Sequence, residues 1–214
     1  MNIRWLIAGL LILALTGCSS MYYGAMEKVG IHKRDIMVDR VKSARDTQGE
    51  AKKQFLTAME QFKSVVNFQG GNLEREYNRL NAALKESEAK ATEVHDRISA
   101  VEDVSEALFS EWRAEIKQYS SESLRQASQR KFDQTRKKYT DLIAAMKKAE
   151  ARLEPVLTPL RDQVLFMKHN LNARAIAGLT SEVSSVQTNV DTLVRDMESA
   201  IAQADAFIAT LEAE

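Results

Sequence analysis

From Leu73 onward, apolar positions recur at alternating steps of four and three residues: Tyr77, Leu80, Leu84, Ala91, Val94, Ile98, Val101, Leu108, Trp112 and Tyr119. Ser87, Ser105 and Glu115 occupy the remaining positions of this series. The same template started at Leu179 reads Val183, Val186, Val190, Leu193, Met197, Ala200, Ala204, Phe207 and Leu211, with no polar interruption. An earlier segment carries it as Met37, Val41, Ala44, Gln48, Ala51, Phe55, Ala58, Phe62 and Val65. A later one runs from Phe132 through Thr135, Tyr139, Leu142, Met146, Ala149, Leu153, Val156 and Leu160 to Gln163 and Met167. A 3-4 repeat held over several heptads is the mark of long helices packed through coiled-coil seams.

The gaps between these runs carry stop and start chemistry. Gly70-Gly71 suits a left-handed helix terminus, and Asn72 is placed to cap the next helix. Ser120-Ser121 supplies hydroxyl caps, and Gly178 with Thr180 supplies a third stop and cap. Short connections between long helices force antiparallel neighbours. The expected fold is therefore all-α: an elongated antiparallel bundle of three to four long helices with coiled-coil packing. Val194, Ile201 and Ile208 flank one seam, and Phe109 and Ile116 another. Stripes this wide touch more than one neighbour, which favours a bundle within one chain over a simple dimeric coil.

Pro155 and Pro159 fall inside the third run. Each lacks a backbone donor and opposes the preceding turn. A kink is expected there, or a break with Thr158 capping a new helix at Pro159. Two readings follow, a static bend and a moving hinge.

Charge adds direction to the path. The whole chain is formally neutral. By segment, residues 19–71 carry a net +3, 72–122 a net −5, 123–174 a net +7 and 175–214 a net −6. Adjacent antiparallel helices of opposite sign choose one another and set register. Folding about the three breaks places Lys63 near Glu76, Lys53 near Glu86, Asp103 level with Lys138, Glu111 level with Arg130, and Lys148 near Asp205. Overall neutrality excludes a general nucleic-acid binder, which needs a clustered positive surface.

The N-terminus changes the picture most. Trp5 to Leu15 is an almost unbroken apolar run, too short to span a bilayer, and it ends in Leu15-Thr16-Gly17-Cys18. This resembles the bacterial lipobox, in which the thiol is lipidated and the peptide is cut before it. The alternative is an uncleaved anchor helix carrying a buried thiol. The lipobox reading divides the chain into a signal peptide (1–17), a lipidated tether (18–26) and one helical domain (27–214). Cys18 is the single cysteine, so no disulfide is available and packing alone must hold the fold. Ser19, in place of an aspartate, resembles the pattern for export to the outer membrane. The expected location is thus the outer membrane, facing the periplasm. Met21-Tyr22-Tyr23 follows at once and reads either as an interfacial aromatic anchor or as plain tether.

The search for chemistry returns little. His32, His95 and His169 are far apart, and none has a second histidine four residues away. They read as surface or boundary residues, and Glu102, Asp103 and Glu106 as a solvated helix face. No GxxxxGK[ST] or GxGxxG occurs, which removes the comparison with the coiled arms of ATPases. Trp112 reads as core, its ring N–H seeking a partner near the Tyr119 turn. Arg125, Arg130, Lys131, Arg136, Lys137 and Lys138 form a basic stretch opposed by one acid, Asp133. It reads as an internal match to the acidic second helix or, alternatively, as an anionic-surface contact. No catalytic residue, metal site or cofactor is expected.

With the lipobox, the Gly70-Gly71 turn and the segment Leu153-Glu154-Pro155 through Phe166-Met167-Lys168-His169-Asn170-Leu171-Asn172-Ala173 in place, the chain resembles DUF2959, an uncharacterised domain-of-unknown-function family of gammaproteobacterial coiled-coil lipoproteins. The resemblance implies no activity. The expected function is a non-enzymatic envelope lipoprotein, a membrane-anchored helical scaffold or adaptor with a protein partner in the envelope. The alternative is membrane-surface binding or remodelling through the basic third helix. A homo-oligomer is left open.

Overall fold

In the computed structural model the described residues are 22, 23, 25–27, 30–68, 70–170, 172, 176 and 178–213. The signal segment, the lipobox Leu15 to Cys18, Ser19 and Met21 lie outside them.

Among the described residues five long helices follow in order: α1 (Lys33–Val66), α2 (Leu73–Ile116), α3 (Glu122–Glu150), α4 (Leu153–His169) and α5 (Thr180–Glu212). No strand occurs among the described residues. Helix α1 packs on α2 and α5, while α3 and α4 each pack on the same two from the other side. The result is a four-cornered antiparallel bundle whose third corner is α3 continued by α4. Helix α2, at 44 residues, sets a length of roughly 66 Å at the usual rise.

Most heptad positions form the core, although Glu115 and Tyr119 at the end of the second run are exposed. All nine of α1 are buried, from Met37 to Val65, and eight of them belong to one continuous apolar cluster with Leu80, Ile98, Leu142, Leu160, Leu193 and Phe207. Of the flanking residues, Phe109, Ile116 and Ile208 are buried, and Val194 and Ile201 are half-buried. This is the wide stripe expected of a helix that touches two neighbours.

The exception is instructive. Gln48 occupies a seam position with no exposure, and neither its amide oxygen nor its nitrogen has a hydrogen-bond partner. An amide buried without partners costs about 1–3 kcal/mol.

The caps are partly as expected. Gly70 and Gly71 both have positive φ, 146° and 112°, and the Asn72 side chain accepts from the Arg75 amide at 2.9 Å. Ser121 accepts from the Leu124 amide at 3.4 Å. The third cap differs from expectation. Thr180 is the first residue of α5, not its cap, and the buried Leu179 precedes it with no side-chain bond.

The proline region also differs in position. The break lies at Ala151-Arg152, and α4 begins at Leu153, so Thr158 is inside the helix and donates to Glu154 Oε1 at 2.7 Å. The reason is steric. A proline ring opposes the carbonyl four residues earlier, which for Pro155 is that of Ala151. Pro155 itself then sits in the first turn of α4, where a missing N–H costs nothing.

Register follows the breaks with one correction. Ser64 reaches Glu76 at 3.4 Å and Lys90 reaches Glu50 at 2.5 Å, the level expected for folding about Gly70-Gly71. Phe109 meets Phe132 at 5.7 Å between ring centres, level with the Glu111–Arg130 expectation. The ion pairs nevertheless involve other residues. Glu111 takes Lys33 at 3.0 Å, Glu76 takes Arg75 and Arg79, and Lys138 donates to Thr210 at 2.7 Å. Level alone does not choose a partner, because each residue turns the helix face by about 100°. Lys148 pairs with Asp196 at 2.8 Å, while Asp205 pairs with Arg45 at 2.9 Å. The two arms therefore reverse about residue 172, ahead of Gly178, with α4 ending at His169 and α5 beginning at Thr180.

Candidate functional site

Two regions depart from plain bundle packing: the α2–α3 hairpin, and the break in the third corner.

Lys33, the first residue of α1, pairs with Glu111, and near the end of α5 Thr210 meets Lys138. Of the five helices, α2 and α3 alone continue beyond that level. They hold together through their own cluster of Phe109, Ile116 and Phe132, with Trp112 and Tyr139 packed against it. Trp112 is half-buried, and its indole N–H donates to Ser128 Oγ at 3.0 Å. The partner thus lies on α3, not at the Tyr119 turn, because the antiparallel hairpin brings Ser128 across. Tyr119 and Leu124 stand exposed near the tip.

The basic stretch lies on this hairpin. Arg125 is held by Glu122 one turn away, and Lys138 is tied to Thr210. Lys131 is partly buried. Arg130, Arg136 and Lys137 are exposed and, among the described residues, have no ion-pair partner. Several acids of α2 pair elsewhere: Glu102 with Lys147 at 2.5 Å, Glu88 with Arg161 at 2.6 Å, and Glu93 with Lys90 and Arg97. The match between α2 and the third corner therefore lies at Lys147 and Arg161, further along the rod than the basic stretch.

The N-terminal segment reaches the same end of the molecule. Tyr22 is exposed, but Tyr23 is buried and joins the main core, where Asp103, Arg40 and Lys33 lie near its hydroxyl. Burial raises the Tyr23 pKa, with Asp103 adding to the effect. Tyr23 is therefore a packing residue. Glu27 bonds Lys33, and Gly30, at φ 84°, turns the chain into α1. His32 precedes α1, its amide donating to Asp35 Oδ2 at 3.3 Å.

The break at Ala151-Arg152 is braced by α5. Asp196, buried to 8% exposure, bonds Lys148 at 2.8 Å on one side and Arg152 at 3.1 Å at the break itself. Burial pushes the Asp196 carboxyl up, but the two cationic donors outweigh it and the pKa lies below the usual carboxylate value. Beside it His95 Nδ1 and Glu150 Oε1 are 2.6 Å apart, joining α2 to the end of α3. That hydrogen bond, with the carboxylate charge, raises the His95 pKa. Pro159 lies inside α4, and Asn189 reaches across from α5 to Pro155. Asp196 and Asn189 were invisible in the heptad pattern because they flank the seam at Met197 and Val190.

His95 and His169 are both exposed, as is Asp103. Among the described residues, no group of three or more histidines and carboxylates is arranged to hold a metal ion, and no helix is long and apolar enough to cross a membrane. A search of curated proteins finds no match to the chain. The model of a family described as protein of unknown function, DUF2959, matches residues 22–211. That span runs from the N-terminal segment packed on the core to the last buried residue of α5, and the chain belongs to this family.

Proposed function

We propose that the protein is a non-enzymatic lipoprotein of the bacterial envelope, attached through Cys18 to the outer membrane and facing the periplasm. Its helical rod acts there as a scaffold or adaptor for a protein partner. The observation that carries this reading is the position of Leu15-Thr16-Gly17-Cys18 at the end of a short apolar run, with the thiol unavailable for any disulfide. The body supports it as well. Its interior is filled by apolar side chains along four corners, and its exposed face is a long rod. Such a surface suits partner binding along a helix face.

The deciding experiment is membrane fractionation of the wild type against Cys18→Ser. Sedimentation of the wild type with outer membranes, its loss in the variant and cleavage before Cys18 are the expected results. Identical behaviour of the two proteins refutes the attachment.

A second reading, membrane-surface binding, rests on one observation: Arg130, Arg136 and Lys137 of α3 are exposed and, among the described residues, have no ion-pair partner. Basic residues near an anionic surface contribute roughly 1 kcal/mol each and are screened by salt. Vesicle binding that weakens with salt and in Arg130→Glu or Lys137→Glu is expected. Salt-independent binding would sink this reading.

A further inference from the structure

A cleft of about 350 Å³ opens between α2 and α3 beside the main core. Phe109 and Tyr139 form its floor, with ring centres 5.4 Å apart. Ser110 and Thr140 add hydroxyls from opposite helices, and Arg113 and Arg136 face it from α2 and α3. Glu106 is its one carboxylate.

The charges distinguish this cleft from its neighbours. In the groove at Arg45, Asp46 and Asp205 the guanidinium is already neutralised by both acids. At Arg75 and Arg79 both side chains converge on Glu76. At Arg34 two carboxylates, Glu111 and Glu115, share the wall with a single arginine. By contrast, Arg113 and Arg136 have no ion-pair partner among the described residues, and neither does Glu106. Arg113 is held in place by an aromatic face, its guanidinium carbon lying 5.8 Å from the centre of the Phe132 ring.

We propose that this cleft binds the phosphoethanolamine headgroup of a phospholipid, with the phosphate between Arg113 and Arg136 and the ammonium at Glu106. Two guanidinium forks from facing helices suit a phosphate, which takes paired N–H donors. The carboxylate that would repel a purely anionic ligand becomes the counter-charge of the ammonium. The aromatic floor accepts the ethylene carbons and the ammonium face. The volume falls in the range of about 300–1,000 Å³ usual for small-molecule sites.

The choice of a lipid source rests on the membrane-attached reading above, because Tyr23 lies near Asp103, one turn from Glu106 on α2. Cys18 is four residues before Tyr22, a reach of at most about 15 Å. The headgroup chemistry of the cleft does not depend on that attachment.

The test is calorimetric titration of the full-length protein in neutral detergent with glycerophosphoethanolamine, glycerophosphoglycerol and inorganic phosphate. Saturable binding is expected, with glycerophosphoethanolamine the tightest of the three. Arg113→Gln and Arg136→Gln should each weaken it about ten-fold, the scale of one charge-assisted pair. Glu106→Gln should weaken glycerophosphoethanolamine several-fold and leave glycerophosphoglycerol no weaker. Absence of saturable binding, or binding untouched by either arginine change, overturns the site. Tighter binding of both diesters by Glu106→Gln overturns the ammonium assignment, and inorganic phosphate binding as well as the diesters overturns the lipid source. Because detergent replaces the bilayer, a failed Cys18 attachment would leave these titrations unchanged.

Discussion

Asn189 donates its side-chain amide to the carbonyl of Pro155 at 3.1 Å, across the interface between α5 and α4. In an unbroken helix that carbonyl would accept from the amide four residues later, but residue 159 is a proline and has none. A side chain from the neighbouring helix replaces the lost donor. Asn189→Ala should therefore cost about 1 kcal/mol in chemical unfolding. In a Pro159→Ala background, where the backbone donor returns, the same change should cost distinctly less. Additive effects in that double-mutant cycle would show that the two groups do not share the acceptor.

Asp196 fastens the end of α3 and the start of α4 to one point on α5. Asp196→Asn keeps the shape but removes the charge, and should destabilise by about 1–2 kcal/mol at neutral pH, since the two cations it releases are exposed enough to rehydrate. Its folded pKa is depressed from 3.8. The stabilisation is therefore present above that value and is lost as pH falls through the lower, folded pKa. Thermal melts of the two proteins from pH 7 downward should converge in acid. A gap that persists below both pKa values would assign the effect to packing instead.

Gln48 places an amide with no hydrogen-bond partner in a seam between Ala44 and Ala51. Gln48→Met keeps the length of the side chain and removes the unsatisfied groups. It should raise stability by about 1–2 kcal/mol and shift the melting temperature upward. A fall in melting temperature would mean that the amide is satisfied in solution.

His95 gains its partner only in the fold, through Glu150, and its pKa is raised. A raised folded pKa means that the link contributes below the ordinary histidine value and fades as pH climbs through the folded one. NMR titration should find His95 above 6.5, the unperturbed value, and Glu150→Gln should bring it back down. An unchanged midpoint in that variant would dismiss the contact.

The hairpin beyond Glu111 rests on a small aromatic cluster separate from the main core. Phe132→Ala removes the ring that meets Phe109, Trp112 and the Arg113 guanidinium. Hydrogen exchange should accelerate across residues 112–131 and change little in α1 and α5, because local opening tracks local packing. Uniform acceleration through all five helices would show that the hairpin folds as one unit with the bundle.

Helix positions, seam and antiparallel order were legible in the chain itself, since period and breaks are local properties: all nine α1 positions named from spacing are buried, and Ile36, Val38, Thr47, Met59 and Val66 beside them are buried as well. The level of the first two fold-backs was legible too, because Gly70-Gly71 and Ser120-Ser121 leave little slack. Tertiary structure alone decided which charges meet and which stay free, because two residues at the same height can face opposite ways around a helix. It also placed the break at Ala151-Arg152, ahead of both prolines and not at the expected Thr158-Pro159, because the Pro155 ring opposes the carbonyl of Ala151. The cleft between Arg113 and Arg136 was hidden for the same reason. Its two arginines are 23 positions apart in sequence, and only the packing of α2 against α3 brings them to one opening.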